Sequence, residues 1–223
     1  MILSLCFVVG FSQAQDGVVL PARDSVRIGI QAGISFTHFT GHDADGEKLA
    51  TTENLVRFRG GGNVTIPVSE VLAIRPELLF SLKGYKMNDS AISYQTRLSY
   101  LKMPVDLILK LFPLNYAGRG FFKIGAGPYI AWAFHGNYIE QSKKEPIKFT
   151  DKNVAVSQSS YNTYYKRYDA GLNYFIEFSG ERFYTQLGSA IGFVNIKPPL
   201  VNGATRQPSY KNASFNLSYG FMF

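Results

Sequence analysis

From Ser214 to Phe223 the chain alternates without a break: Phe215, Leu217, Tyr219, Phe221 and Phe223 are apolar, and Ser214, Asn216, Ser218 and Gly220 between them are small or polar. Side chains of an extended strand point alternately to its two faces. This segment therefore shows an aromatic face to one medium and a polar face to another, which neither a buried helix nor a fully buried strand does.

The same period of two recurs along the chain and divides it into eight segments. Residues 26–39 set Val26, Ile28, Ile30 and Ile34 against Arg27, Gln31 and Ser35; residues 56–66 set Phe58, Val64 and Ile66 against Arg57, Arg59 and Asn63. Residues 72–85 set Ile74, Leu78, Phe80 and Leu82 against Arg75, Glu77, Ser81 and Lys83. In residues 94–112, Met103, Val105, Leu107 and Leu109 oppose Lys102, Asp106 and Lys110. The first half of that segment has the other phase, with Tyr94, Leu98 and Tyr100 apolar, which predicts a bulge near Tyr100-Leu101 that exchanges the faces. Residues 121–134 and 165–178 place Lys123, and then Asp169 and Glu177, on their polar faces. Residues 182–194 form the least regular segment, and the carboxyl-terminal residues form the eighth.

Connections 67–71, 113–119 and 179–181 are short, whereas 40–55, 86–93, 135–164 and 195–212 are mostly longer and polar. Strict alternation of tight turns and long loops predicts an all-β fold: an eight-stranded antiparallel up-and-down transmembrane β-barrel. A soluble barrel would turn its apolar faces inward. Here the charges share a face with glycine and serine, so the polar face is the crowded interior and the apolar face meets lipid. An even strand number puts both termini at the turn end, expected to be periplasmic, in the outer membrane of a Gram-negative bacterium. Phe215, Leu217, Tyr219, Phe221 and Phe223 then form the closing strand read by the barrel-assembly machinery during insertion.

Composition agrees. Aromatics make up 15% of residues, with 14 Tyr, 18 Phe and one Trp, while mean hydropathy is only −0.04, as half-greasy, half-wet strands produce. Residues 1–14 read as a secretory leader, with an apolar stretch Ile2 to Phe11 and a small-x-small cleavage site at Ser12-Gln13-Ala14, although no Lys or Arg precedes it, which leaves open whether the true start lies upstream. A lipoprotein reading of Cys6 is weaker, because Leu5 is too large for the position before a lipidated cysteine. Residues 15–24 are expected to be a short periplasmic segment and residues 25–223 the barrel. Cleavage after Ala14 would remove the single cysteine and with it disulfides, thiolate catalysis and Cys-ligated metals. The net charge of +7 suits outer-membrane lipid head groups and lipopolysaccharide phosphates. With no basic helix or reading motif, no nucleic-acid partner is expected.

Several elements resemble one family. Arg75-Pro76-Glu77-Leu78-Leu79-Phe80-Ser81, followed by Lys83-Gly84, is similar to the "RPELLYSxKG" strand of the Bacteroidetes-type, PorT-like outer-membrane barrels of the porin family. Tyr100-Leu101-Lys102-Met103-Pro104 resembles its "YLEIP" element, with Lys102 where an acid is commoner. Gly125 to Ile130, Asp169-Ala170-Gly171-Leu172 and Asn212 to Phe223 resemble three further elements in the same order. The resemblance implies a fold and a location. It implies no activity, because the family shares none.

An eight-stranded barrel is just wide enough to be filled by side chains. Arg57, Arg59, Arg75, Glu77, Lys83, Lys102, Asp106, Lys123, Asp169 and Glu177 are expected to form an interior ion network, since buried charges without partners are prohibitive. In residues 135–164, Tyr138, Lys143, Lys144, Lys148, Phe149 and Lys152 interleave rings with cations and are candidates for contact with a protein or glycan. His38, His42 and His135 fall at the loop rim, near Ser35, Asp43, Asp45 and Ser142, in no spacing that makes a triad. Asp43 to Glu47 is a turn signal before it is a calcium loop. No cofactor, metal site or catalytic residue is expected. The expected function is a structural or interaction role for a filled barrel with long extracellular loops. The alternatives are a small pore or accessory subunit of a secretion or transport complex, and a rim-sited lipid A or peptide hydrolase.

Overall fold

In a computed structural model, residues 25–42, 52–89, 92–114, 120–141, 143–154, 162–201 and 207–223 are described. Eight antiparallel strands form a closed ring. They are β1 (Arg27–His42), β2 (Leu55–Pro67), β3 (Leu72–Asp89), β4 (Ile92–Pro113), β5 (Phe121–Glu140), β6 (Tyr168–Ser179), β7 (Phe183–Gly192) and β8 (Ser209–Met222). Each pairs with its neighbours in sequence, and β1 closes the ring on β8 from Gly29↔Met222 to His42↔Ser209. Closure satisfies both edges of every strand, which a wall lying in lipid requires.

The alternation read from the sequence sets the two faces. Ile30, Phe58, Leu78, Leu107, Ile130, Leu172 and Leu217 are exposed on the outside, while Gln31, Arg59, Glu77, Asp106, Asn173 and Asn216 are buried within. β7, irregular as a sequence, is regular here: Tyr184, Gln186 and Ala190 point in, and Phe183 and Ile191 point out. A ring of apolar side chains around a polar bore is the reverse of a water-soluble protein.

The expected exchange of faces in β4 does not occur. Leu98 and Tyr100 are buried on the same side as Lys102 and Asp106. A register shift does fall between Ser99 and Tyr100, but the extra residue lies on β5: Ser99 pairs with His135 and Tyr100 with Ala133, leaving Phe134 unpaired. β5 is therefore the strand that changes phase, with Phe134 and His135 both exposed. A second shift, between Lys110 and Phe112, leaves Leu111 as the extra residue on β4. The apolar inward positions of β4 are accommodated because the bore turns aromatic toward the long-loop end.

Two inward rings lie over glycines at which the wall has no side chain. A Cβ on Gly125 would come within 2.2 Å of the Phe175 ring, and one on Gly220 within 2.1 Å of Tyr184. Phe175 joins Ala73 and Ile108 in a small apolar cluster beside the charges.

Candidate functional site: a filled bore and its cap

At the short-turn end Arg75 grips Glu177, with Nη1 to Oε2 at 2.5 Å and Nη2 to Oε1 at 3.2 Å. Lys123 reaches the same carboxylate at 3.2 Å, and the Arg75 Nε donates to Thr65 Oγ1 at 2.9 Å. The Arg75 guanidinium lies 5.0 Å over the Tyr184 ring, whose hydroxyl accepts from Asn63 Nδ2 at 2.8 Å. The planar fork of arginine, which matches a carboxylate while stacking on a ring, suits this tier.

Midway, Gln31 Nε2 donates to Glu77 Oε2 at 2.7 Å, and Arg59 stands 4.0 Å from that oxygen. Lys102 donates to Asn173 Oδ1 at 2.5 Å and lies 4.0 Å over the Tyr129 ring. Asp106, opposite Arg75 in the β3–β4 ladder, is buried as well. Above, one oxygen of Asp169 accepts from three groups: Lys83 Nζ at 2.9 Å, Asn212 Nδ2 at 2.9 Å and the Tyr129 hydroxyl at 3.1 Å. Of the charged residues singled out from the sequence, these three tiers take up all but Asp106, whose two buried oxygens have no hydrogen-bond partner among the described residues, and Arg57, which is only partly buried two positions beyond Arg59 toward the long loops. The tiers also recruit Asn63, Asn173, Asn212, Tyr129 and Tyr184, whose inward parity was available as a signal.

Over the upper tier lies an aromatic cap missing from the sequence reading. Phe39, Tyr85, Leu98, Tyr100 and Tyr210 from the strands meet Tyr138, Ile147, Tyr165 and Ile196. Two short pieces of chain, Lys148–Phe149 and Tyr164–Tyr165, pair in parallel across the mouth, and a bridge joins Val154 to Leu200. Lys197 is buried among them. Its ammonium lies 3.8 Å over the Tyr165 ring and donates to the carbonyls of Asn162 at 3.3 Å and Tyr164 at 3.2 Å. Burial pushes this ammonium well below its ordinary pKa and holds the Tyr165 hydroxyl well above its own. The signal for the cap was the run of apolar residues on inward phase near the loops: Phe39, Tyr85, Leu98, Tyr100 and Tyr210.

The loop candidates divide. Lys143, Lys144, Lys148 and Lys152 are exposed and Phe149 half-buried, but Tyr138 turns inward into the cap and offers nothing to a partner. For the rim hydrolase, His38 and Ser35 sit on opposite faces of β1, and the Ser35 hydroxyl donates to Asn216 Oδ1 at 2.6 Å. His135 is on the outside of β5 beside Asn137. Asp43, Asp45 and Ser142 lie outside the described residues, as do residues 1–24 with the expected leader and periplasmic segment. Among the described residues, no three His, Cys, Asp or Glu side chains gather as a metal site.

A closed wall, apolar outside and lined with buried charge and ion pairs inside, defines an integral membrane β-barrel. The chain belongs to the outer membrane protein beta-barrel domain family, whose profile matches residues 11–198. It is therefore an outer-membrane β-barrel protein. No curated protein matches the sequence. Solved structures similar to it include Ail of Yersinia pestis in complex with the heparin analogue sucrose octasulfate (10% identity, 90% of this chain and 100% of that one, TM-score 0.45). OprG of Pseudomonas aeruginosa (10% identity, 88% and 95%, TM-score 0.45) and Neisserial surface protein A (7% identity, 90% and 100%, TM-score 0.45) are also similar.

Proposed function

We propose that this protein is a sealed barrel that works by presenting its long-loop end to other molecules rather than by passing solutes or breaking bonds. On this reading it sits in a Gram-negative outer membrane, of the Bacteroidetes type by the sequence elements quoted above, with both termini periplasmic and the cap outside. The observation that carries it is the stacking of side-chain contacts across the bore. The Arg75–Glu177 tier, the Glu77 and Lys102 tier and the Asp169 tier stack beneath an aromatic cap. A pore needs a hydrated path, whereas here cations meet carboxylates at contact distance and rings cover the mouth. The hydroxyl of Ser35, engaged by Asn216 on the face of β1 opposite His38, favours presentation over rim chemistry.

The test is electrical. Purified protein in planar bilayers should give no stepwise current. Discrete openings in the unmodified protein would refute the sealed barrel and favour the small-pore alternative. Mild detergent extraction followed by mass analysis separates the two non-conducting roles: a stoichiometric companion protein indicates an accessory subunit, and its absence a stand-alone display barrel.

A further inference from the structure

Trp132 is the only tryptophan of the chain. It points outward near the long-loop end of β5, paired across the wall with Tyr168 of β6 and Leu101 of β4. Trp and Tyr side by side on a lipid-facing wall mark the level of the head groups. At that level stands Arg167, its backbone carbonyl held by the amide of Ala133 at 2.7 Å. Its guanidinium lies 5.1 Å from the Phe149 centroid and 6.0 Å from that of Trp132. A guanidinium laid on ring faces keeps its N–H edges free for a second partner.

One other cation stands close by. Lys148 precedes Phe149 and is exposed. The acids of this region are Glu140, Glu145 and Asp151, and Glu145 is taken by Lys143 at 2.8 Å. Lys148 also lies 5.5 Å over the Tyr164 ring. Cations thus edge an aromatic row that continues downward into bare apolar wall at Ile130 and Leu172, both exposed.

We propose that Arg167, with Lys148, clamps the phosphate of an anionic lipid in the adjoining leaflet while the acyl chains of that lipid lie on the wall below Trp132 and Tyr168. The fork of arginine takes two phosphate oxygens in parallel, and the stacked rings fix its plane in advance. Lys148 adds point charge that salt weakens. A soluble phosphate would gain only the charge. A lipid gains charge and apolar contact together, because the cations and the greasy wall are continuous. This inference rests on the membrane placement above.

Trp132 is itself the reporter. The protein is placed in phosphatidylcholine nanodiscs titrated with either brominated phosphatidylcholine or brominated phosphatidic acid, and tryptophan quenching is followed. The acidic lipid should reach half-maximal quenching at a mole fraction about fivefold lower than the zwitterionic one, a preference erased by high salt. Arg167→Gln should bring the two curves together and Lys148→Gln should bring them part of the way, with resistance to cold dodecyl sulfate showing that both variants are folded. Free inorganic phosphate should leave the preference intact. Equal quenching by the two lipids overturns the clamp, as does an unchanged preference in folded Arg167→Gln or its loss to millimolar phosphate. Absence of quenching by either lipid overturns the membrane placement itself.

Discussion

Arg75 of β3 and Glu177 of β6 meet inside the bore as a two-pronged ion pair, both side chains wholly buried, with Lys123 as a third partner on the same carboxylate. Such a pair is worth little against an apolar replacement, because desolvation of both ions offsets their attraction, but removing one partner strands the other. Glu177→Gln and Arg75→Ala should each destabilise the barrel by about 3–5 kcal/mol. The double change Arg75→Met with Glu177→Leu should cost much less than the sum of the single changes. Urea unfolding in liposomes measures this directly, and additive single changes would show that the pair is not coupled.

The outward face makes a second demand. Leu172 is exposed on the wall, four positions from the Tyr168 row in one direction and six from Phe178 in the other. Leu172→Arg puts a charge into hydrocarbon and should cost about 2–4 kcal/mol, whereas Phe183→Arg, at the short-turn rim, should cost about 0–1 kcal/mol. The depth dependence must vanish when the same variants are compared in water. A flat profile in lipid would mean that this face does not lie in a bilayer.

Tyr184 leans over Gly220 and under Arg75, so the glycine is a condition of the lowest tier. Gly220→Val should displace the ring, break its hydrogen bond from Asn63 and loosen Arg75, at a cost of about 1–3 kcal/mol. Gly180→Ala, where an added Cβ meets nothing nearer than 3.6 Å, is the control and should stay within about 0.5 kcal/mol. Thermal melts of the folded, dodecyl sulfate-resistant band rank the two.

Strand number, the two faces and the ring order were legible because a period of two survives any error in placing strand ends. Thr185 and Ser189 face outward in β7, so its alternation was faint in sequence. Its register is fixed by its neighbours instead, through Leu187↔Leu217 and Ile176↔Leu187. The apolar residues Leu98 and Tyr100 suggested a change of face in β4 because a polar bore was assumed along its whole length. They share a cluster with Tyr165 and Ile196, brought there by chain more than 60 residues away; their inward phase marks an apolar lining, but no local pattern names its distant partners. Lys197 was invisible for the same reason: in sequence it is a loop lysine before two prolines, and only the folded cap encloses it.

That enclosure gives the cap a pH dependence with a definite sign. Burial lowers the pKa of Lys197 below its ordinary value of about 10.4, so the docked cap binds fewer protons than the released one in the window between the two values. Docking therefore strengthens as pH rises through that window and weakens toward acid, where the ammonium is charged in both states and its desolvation opposes closure. Tyr165, whose pKa is raised, keeps its proton throughout this range and becomes a liability only above about pH 10, where the released phenol ionises first. Hydrogen exchange at Lys166 and Ile196, whose amides are bonded to Ile196 and Tyr210 across the cap, reads the opening, once rates are corrected for the intrinsic pH dependence of exchange. Protection factors should rise with pH in the unmodified protein as it approaches the ordinary lysine value of about 10. In Lys197→Met, which keeps the length of the side chain without the charge, they should be high and flat. A wild-type profile that falls with pH would mean that the two carbonyls and the Tyr165 ring hold the ammonium charged, and that the cap is latched by the cation rather than strained by it.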